Sequence, residues 1–532
     1  MLFKKSLLCL AVTAALVGCD DDETIVNPDI GGGQVLLFST SGEFIDAANV
    51  GYLPDMVKFA DNNTLVVANE GEPEDDYASD DEGSISIVTI QSNGKVKTVK
   101  TLGFDQTQLV GDVRIKPGST VSEDLEPEYV AVNEAGDTAW VTLQENNAVA
   151  VVDLNKKTIT SVNALGKRSV SEQAMDITDD GFANPVVGNP ANIFALYQPD
   201  TIQSIQIDGK DYYVTANEGD DREYGDYEDL EKAKKLTLSS ELEGALLDTD
   251  MESLRVLVDM GKDEQGVYNE LYMTGTRSFS IWNANGELVF DSGAEFEEEV
   301  AASLTNVFNT RVDDTDDADD IADLDADEIP YVLVDGTAYF WEGVDARSLK
   351  KGVEPEALAL HKMGDSTFAY IGLEKQGGFF VYDISNPAQA EMVQYFNRID
   401  YSALPNVAGD LAPEGMVAFE QGGKHYLVAA HELSSSLAIY ELASDGSATK
   451  LDSLVLGSFG AGASEIVDYD AQGQALFVTN AETQMVDIVD VSTPSELVKK
   501  GSVDFSAYAD DLQSVAVKNG VLAIAVKRRE VE

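Results

Sequence analysis

The sequence predicts an all-β fold: a seven-bladed β-propeller with two long insertions, closed by N- and C-terminal strands in one blade. Three observations predict it. A two-strand unit of one design recurs along the chain, and most copies are followed by a third alternating strand. The last copy stops after two strands, while Gln34-Val35-Leu36-Leu37-Phe38-Ser39 reads as a strand with no hairpin of its own.

Each unit starts at an acidic residue, often after proline. It runs through an apolar alternating strand, a polar turn and a second apolar strand to a glutamate. The copies run from Pro54-Asp55 to Glu70, Pro127-Glu128 to Glu145, Pro199-Asp200 to Glu218, Pro355-Glu356 to Glu374, Pro413-Glu414 to Glu432, and Glu465 to Glu482. A degenerate seventh runs from Gln513 to Lys527. Third strands include Ser84-Ile85-Ser86-Ile87-Val88 and Gly378-Phe379-Phe380-Val381-Tyr382. Three to four short antiparallel strands, repeated, describe a propeller. A β-sandwich pair or a solenoid is the alternative, and irregular spacing argues against a solenoid. Pairing residues 34–39 with the last strand completes the seventh blade and removes two open sheet edges.

Two segments break the repeat, at about residues 219–274 and 294–350. The first is charged, and residues 227–247 have helical spacing. The second holds Asp313-Asp314-Thr315-Asp316-Asp317 and then Asp323, Asp325 and Asp327 at alternate positions. Glu328 stands where an EF-hand needs glycine and Val334 where it needs the bidentate glutamate, so this reads as a solvated acidic loop.

Residues 1–18 read as a secretory signal. Lys4 and Lys5 precede an apolar run at 7–16 that is too short to span a bilayer. Leu16-Val17-Gly18-Cys19 resembles a bacterial lipobox, which implies lipid on Cys19; an incidental cysteine after a plain signal is the alternative. Residues 19–33 then form a polar tether and 34–532 the propeller. The expected location is extracytoplasmic, in a bacterial envelope, with the membrane as a partner through Cys19.

The chain carries 96 acidic and 35 basic residues, a net charge of −61, which excludes nucleic acid as the main partner. Two cysteines and three histidines exclude cysteine-rich zinc sites and a disulfide framework. No Gly-x-Ser-x-Gly elbow, Walker loop or His-Glu-x-x-His is present.

In an antiparallel hairpin the start of the first strand and the end of the second share one edge. Two columns of acids therefore crowd one mouth of the channel. One is Asp55, Glu128, Asp200, Glu356, Glu414 and Glu465; the other is Glu70, Glu145, Glu218, Glu374, Glu432 and Glu482. They cannot all stay ionised and unpaired. Calcium, a hard cation seeking six to eight oxygens, is the expected cofactor. The competing reading is that a residue repeated in nearly every blade serves blade geometry by bonding backbone.

Residues that break the symmetry are better candidates for chemistry. Glu72, Asp220 and Arg222 extend the mouth, Lys375 follows Glu374, and His431 stands where other units carry Asn, Gln, Leu or Ala. Arg277 and Arg347 are either salt-bridge staples or anion clamps. Phosphate beside calcium and arginine is chemically sensible, because the cations offset its charge and polarise the P–O bond. His361 and His425 fall near turns at the opposite face and read as bystanders.

Ala68-Asn69-Glu70-Gly71-Glu72-Pro73, Val214-Thr215-Ala216-Asn217-Glu218-Gly219-Asp220, Arg277-Ser278-Phe279-Ser280-Ile281-Trp282 and Glu354-Pro355-Glu356 together resemble the bacterial choice-of-anchor I domain. That family is related to mesenchyme-specific cell-surface glycoproteins and often labelled alkaline-phosphatase-like. The resemblance implies an extracytoplasmic propeller with phosphatase-like activity. This sequence departs from it at His431, usually Asn, at Leu349 after Arg347-Ser348, and in carrying its closing strand at the N-terminus. The expected activity is calcium-dependent phosphoester hydrolysis. Glu70, Glu72, Glu218, Asp220, Glu356 and Glu414 would hold metal. Arg222, Arg277 and Lys375 would hold the phosphate of a small molecule, and His431 would be the general acid. The rival is a non-enzymatic surface protein that binds calcium or a partner at the same mouth.

Overall fold

Alternating apolar residues favour short antiparallel strands, and the computed structural model of the chain is all-β. It describes residues 32–528, except 74–80, 187, 226, 325, 327 and 328. The signal expected at 1–18, Cys19 and most of the expected tether lie outside the described residues, as do Asp325, Asp327 and Glu328 of the acidic loop.

Among the described residues, seven sheets have four or five strands. Pro54–Phe59, Val130–Val132, Ile202–Ile207, Pro355–Met363, Pro413–Gln421, Val467–Asp470 and Ala509–Lys518 each form one edge of their sheet. Each of these edge strands touches the next along the chain, and Ala509–Lys518 also touches Pro54–Phe59. The arrangement is propeller-like.

The core sits between neighbouring sheets. Val66 and Ile87 of one sheet pack with Val141 and Ala150 of the next, all fully buried. Between the second and third sheets Trp140 meets Tyr213, with ring centroids 5.6 Å apart. Each large apolar side chain removed from water contributes about 1.5–3 kcal/mol, so the sheets are held face to face by the residues that alternate inward.

Gly33–Ser39 pairs antiparallel with Val521–Arg528, Val35 opposite Ala525 and Phe38 opposite Leu522. One expectation is corrected here. Gly33–Ser39 does have a hairpin partner, Phe44–Asn49, with Gln34 opposite Asn49. Its sequence, Phe-Ile-Asp-Ala-Ala-Asn, lacks the alternation of a buried strand, and most of its side chains stay partly exposed.

The first insertion is also corrected. Tyr227–Glu228 and Leu230–Lys232 are strands, and the helix is only Ser240–Leu246, capped by Ser239, which accepts from the Leu242 amide. Leu242 and Leu246 join Val256, Leu271 and Met273 in a separate small core, and pairing Leu230–Lys232 with Arg255–Leu257 overrides the local helical spacing. The second insertion carries the helix Glu295–Ser303 and a three-stranded sheet of Val312–Thr315, Thr337–Trp341 and Tyr331–Val334. The later part of its acidic run forms a short helix, Ala318–Asp323, capped by Asp317.

Candidate functional site

The local backbone explains why the acids converge. Three sheets share a register shift at the start of their edge strand, between Pro54 and Val57, Pro355 and Leu358, and Pro413 and Met416. A bulge re-aims the residue inside it, and here those residues include Asp55, Glu356 and Glu414. The residue before each proline lies in the left-handed region: Leu53 at φ 42°, Glu354 at 52° and Ala412 at 58°. Such non-glycine conformations are costly and need a compensating contact. The compensation recurs: the carbonyls of Leu53, Glu354 and Ala412 each accept, at 2.8 Å, the backbone N–H of Glu70, Glu374 and Glu432. One strained turn thus anchors both acid columns in each of these sheets.

The result is a cavity of about 790 Å³ lined by fifteen carboxyl and five basic side chains. The whole first column lines it, with Gln513 completing the series. Glu70, Glu145, Glu218 and Glu374 of the second column line it too, whereas Glu432 faces a smaller adjoining cavity. Glu482 instead accepts a bond from the Ser458 amide at 3.1 Å.

The charges are sorted into two arcs. On one lie Asp55, Glu70, Glu72, Glu128 and Glu145. Burial, then Glu72, pushes Asp55 up to about 7. Burial pushes Glu145 up to about 7 against the pull of Arg222. Glu70 and Glu128 are raised well above the carboxylate range by burial and then by neighbouring carboxylates, Asp55 for Glu70 and Glu145 for Glu128. Glu128 and Glu145 are only 7% and 9% exposed, and Oε2 of each has no hydrogen-bond partner among the described residues. Buried acceptors without donors are costly; a bound hard cation, or a proton held on Glu128 and hydrogen-bonded to Glu145, would relieve that cost.

The other arc neutralises itself. Lys351 Nζ lies 2.9 Å from Asp220, 3.1 Å from Glu218 and 3.7 Å from Glu354. Arg347 Nε donates to Glu354 at 2.8 Å, and Lys375 pairs with Glu374. Although burial pushes Glu354 up, Arg347, Lys351 and Lys375 together hold it at about 2. Burial, only partly offset by Lys351, leaves Glu218 at about 7. Oxygens of Glu218, Glu354 and Glu374 lie within 4.8 Å of one another, as metal ligands would, but the lysines and Arg347 already balance them. Between the arcs, Asp200, Glu356 and Glu414 are raised well above their usual range, by burial first.

All six expected metal ligands line the cavity, and so does Lys375. Three expected residues do not. Arg222 is 1% exposed and lies behind the acidic arc, 3.2 Å from Asp124, 3.5 Å from Glu126 and 3.8 Å from Asp229. Arg277 donates to Glu297 and the Asp176 carbonyl at 2.7 Å, and to the carbonyls of Ser348 and Lys350. Both guanidinium groups lie among internal acids and carbonyls away from the cavity, so the staple alternative describes them. His431 is 3% exposed, off the cavity wall, and burial lowers its pKa; it lies near Asp410, which it helps hold at about 2. A buried imidazole off the cavity wall is poorly placed to protonate a leaving group. Sequence reasoning did not single out Lys351 or Glu354; the Lys350-Lys351 pair at the end of the insertion was the available signal.

Residues 16–387 match the choice-of-anchor I domain. The chain belongs to the choice-of-anchor I domain family. Residues 481–505 of this choice-of-anchor I protein also match the LVIVD repeat, over the strands Met485–Asp490 and Val498–Asp504. It is 26% identical over 158 residues to Gigasin-3a of Magallana gigas, covering 30% of this chain and 46% of that protein, so the match spans about half of that relative. Its fold is similar to that of a periplasmic gluconolactonase of Pseudomonas aeruginosa, at 11% identity and a TM-score of 0.44, over 88% of this chain and 96% of that one. A protein of unknown function from Desulfotomaculum acetoxidans is similar at 9% identity and a TM-score of 0.41, over 89% and 96%.

Proposed function

We propose that this choice-of-anchor I protein is an extracytoplasmic, lipid-anchored, seven-bladed propeller, its ring closed by the ladder between its two chain ends. We read its mouth as a calcium site on the arc of Asp55, Glu70, Glu72, Glu128 and Glu145, facing a basic arc suited to an anion. The observation that carries this reading is the pair of buried, unpartnered oxygens on Glu128 and Glu145 within an arc of five carboxylates. This narrows the ligand set expected from sequence. Glu218 and Asp220 already have Lys351 as their cation.

The activity this arrangement supports best is phosphoester hydrolysis. Calcium bound there would offset phosphate charge and polarise a P–O bond. Lys351 and Lys375, across the cavity, would orient the phosphoryl group by exchanging a glutamate oxygen for a phosphate oxygen. In place of His431, Glu218, held at about 7 outside the calcium arc, is suited to proton transfer at neutral pH. One observation favours the non-enzymatic reading: Lys351 and Lys375 already pair with glutamates, so an anion must compete for them. Hydrolysis of a chromogenic phosphomonoester by the full chain, with calcium and with EGTA, separates the two. Turnover abolished by EGTA and by Glu145→Gln supports the enzyme. Calcium binding without turnover supports the surface protein.

A further inference from the structure

Two of the three histidines meet far from the acidic mouth. His361 lies near the end of Pro355–Met363, a strand that starts at Glu356 in the mouth, and His425 near the start of Lys424–His431. The two neighbouring sheets bring His361 Nε2 to 2.9 Å from His425 Nδ1, with ring centroids 5.0 Å apart. Glu420 stands directly opposite His425 in the ladder, on a strand that touches the strand of His361. Both imidazoles are half-buried and Glu420 is exposed, so solvent ions can reach them. The adjacent Lys362 and Lys424 are engaged by Glu134 and Glu441.

This geometry suits coordination. Zinc–nitrogen bonds of about 2.0–2.1 Å at a tetrahedral angle place two ligand nitrogens roughly 3.3 Å apart. The imidazole pair would open by only about 0.4 Å to meet that spacing. The N–H now lying between the rings would move to the other nitrogen of its own ring, leaving two lone pairs facing the ion and releasing no proton. Neutral imidazole is the state that binds metal. Imidazole suits borderline transition cations, whereas the all-oxygen mouth suits calcium. The net charge of −61 raises the local concentration of any cation.

We propose that His361 and His425, beside the negative charge of Glu420, form a two-imidazole site for a borderline divalent cation of the zinc type, its remaining positions filled by water, separate from the carboxylate mouth. The test is calorimetric titration of Zn²⁺ into the full chain in millimolar calcium, which occupies hard oxygen sites. One zinc should still bind, and His361→Ala and His425→Ala should each lose it. Glu420→Gln should weaken it. In the wild-type chain, zinc should shift the imidazole resonances of His361 and His425 and leave those of His431 in place, a readout independent of how the variants fold. Zinc binding that calcium abolishes, that survives both histidine substitutions, or that leaves these resonances unmoved would overturn the proposal.

Discussion

Lys351 Nζ lies 3.1 Å from Glu218 Oε1 and so sets a fixed cation beside the trio of Glu218, Glu354 and Glu374, whose oxygens gather as metal ligands would. Its side chain is only 13% exposed. Removing one partner from a buried charge cluster costs about 3–5 kcal/mol. Lys351→Met should therefore lower unfolding stability by about that amount in chemical denaturation, and added calcium should recover part of it. Equal midpoints for Lys351→Met and the wild type would show that the pairing carries no net stability.

Burial makes the calcium-free protein pH-sensitive. Free carboxyls ionise near about 4, whereas Asp55, Glu145 and Glu218 are raised to about 7 in the fold. The folded state thus holds more protons than the unfolded chain between those values, and stability falls as pH rises through that window. Glu354, held at about 2, acts in the opposite sense, losing its contribution as pH falls below about 4.5. The melting temperature of the calcium-free chain should fall as pH rises from about 5 to 8, and calcium should remove most of the slope. A flat calcium-free profile would contradict the raised carboxyls.

The terminal ladder predicts a stability effect far from the site. Leu36 is fully buried and stands opposite Ile524. Leu36→Ala should cost about 2–5 kcal/mol. Amides of Gly33–Ser39 and Val521–Arg528 should exchange with solvent together, near the global unfolding rate, because each strand protects the other. Fast exchange confined to Gly33–Ser39 would mean that this strand detaches independently.

Although Glu432 and Glu482 leave the main cavity, the rest of both acid columns was legible in the sequence because strand alternation and the repeated proline-acid start fix which edge they share. The sorting into two arcs was not. Lys351 reaches Glu218 across 133 positions of chain, through an insertion whose path no local pattern specifies. Arg277 reads in sequence as an anion clamp as readily as a staple, and only its contacts with Glu297 and three carbonyls decide between them. The strained residues Leu53, Glu354 and Ala412 share no residue type, so nothing in their identities signals a common left-handed turn. The helical spacing of 227–247 misled because residues 230–232 found a strand partner at 255–257.

Cys19, in Leu16-Val17-Gly18-Cys19, is expected to carry lipid. Cell fractionation with Cys19→Ser should then yield a soluble or unprocessed protein in place of the membrane-bound one. A variant that keeps its membrane association after signal removal would refute the anchor.

The central claim is that the acidic arc holds calcium specifically rather than tolerating its charge through general screening. A ligand bound only to the folded state stabilises by about 2.7 kcal/mol at a hundredfold excess over Kd, while sodium chloride only screens. The direct measurement is the melting temperature of the full chain in millimolar calcium against sodium chloride of matched ionic strength, for the wild type and for Glu128→Gln with Glu145→Gln. The account predicts a higher melting temperature in calcium for the wild type and a much smaller increment in the double variant. Identical melting temperatures in calcium and matched salt would contradict it.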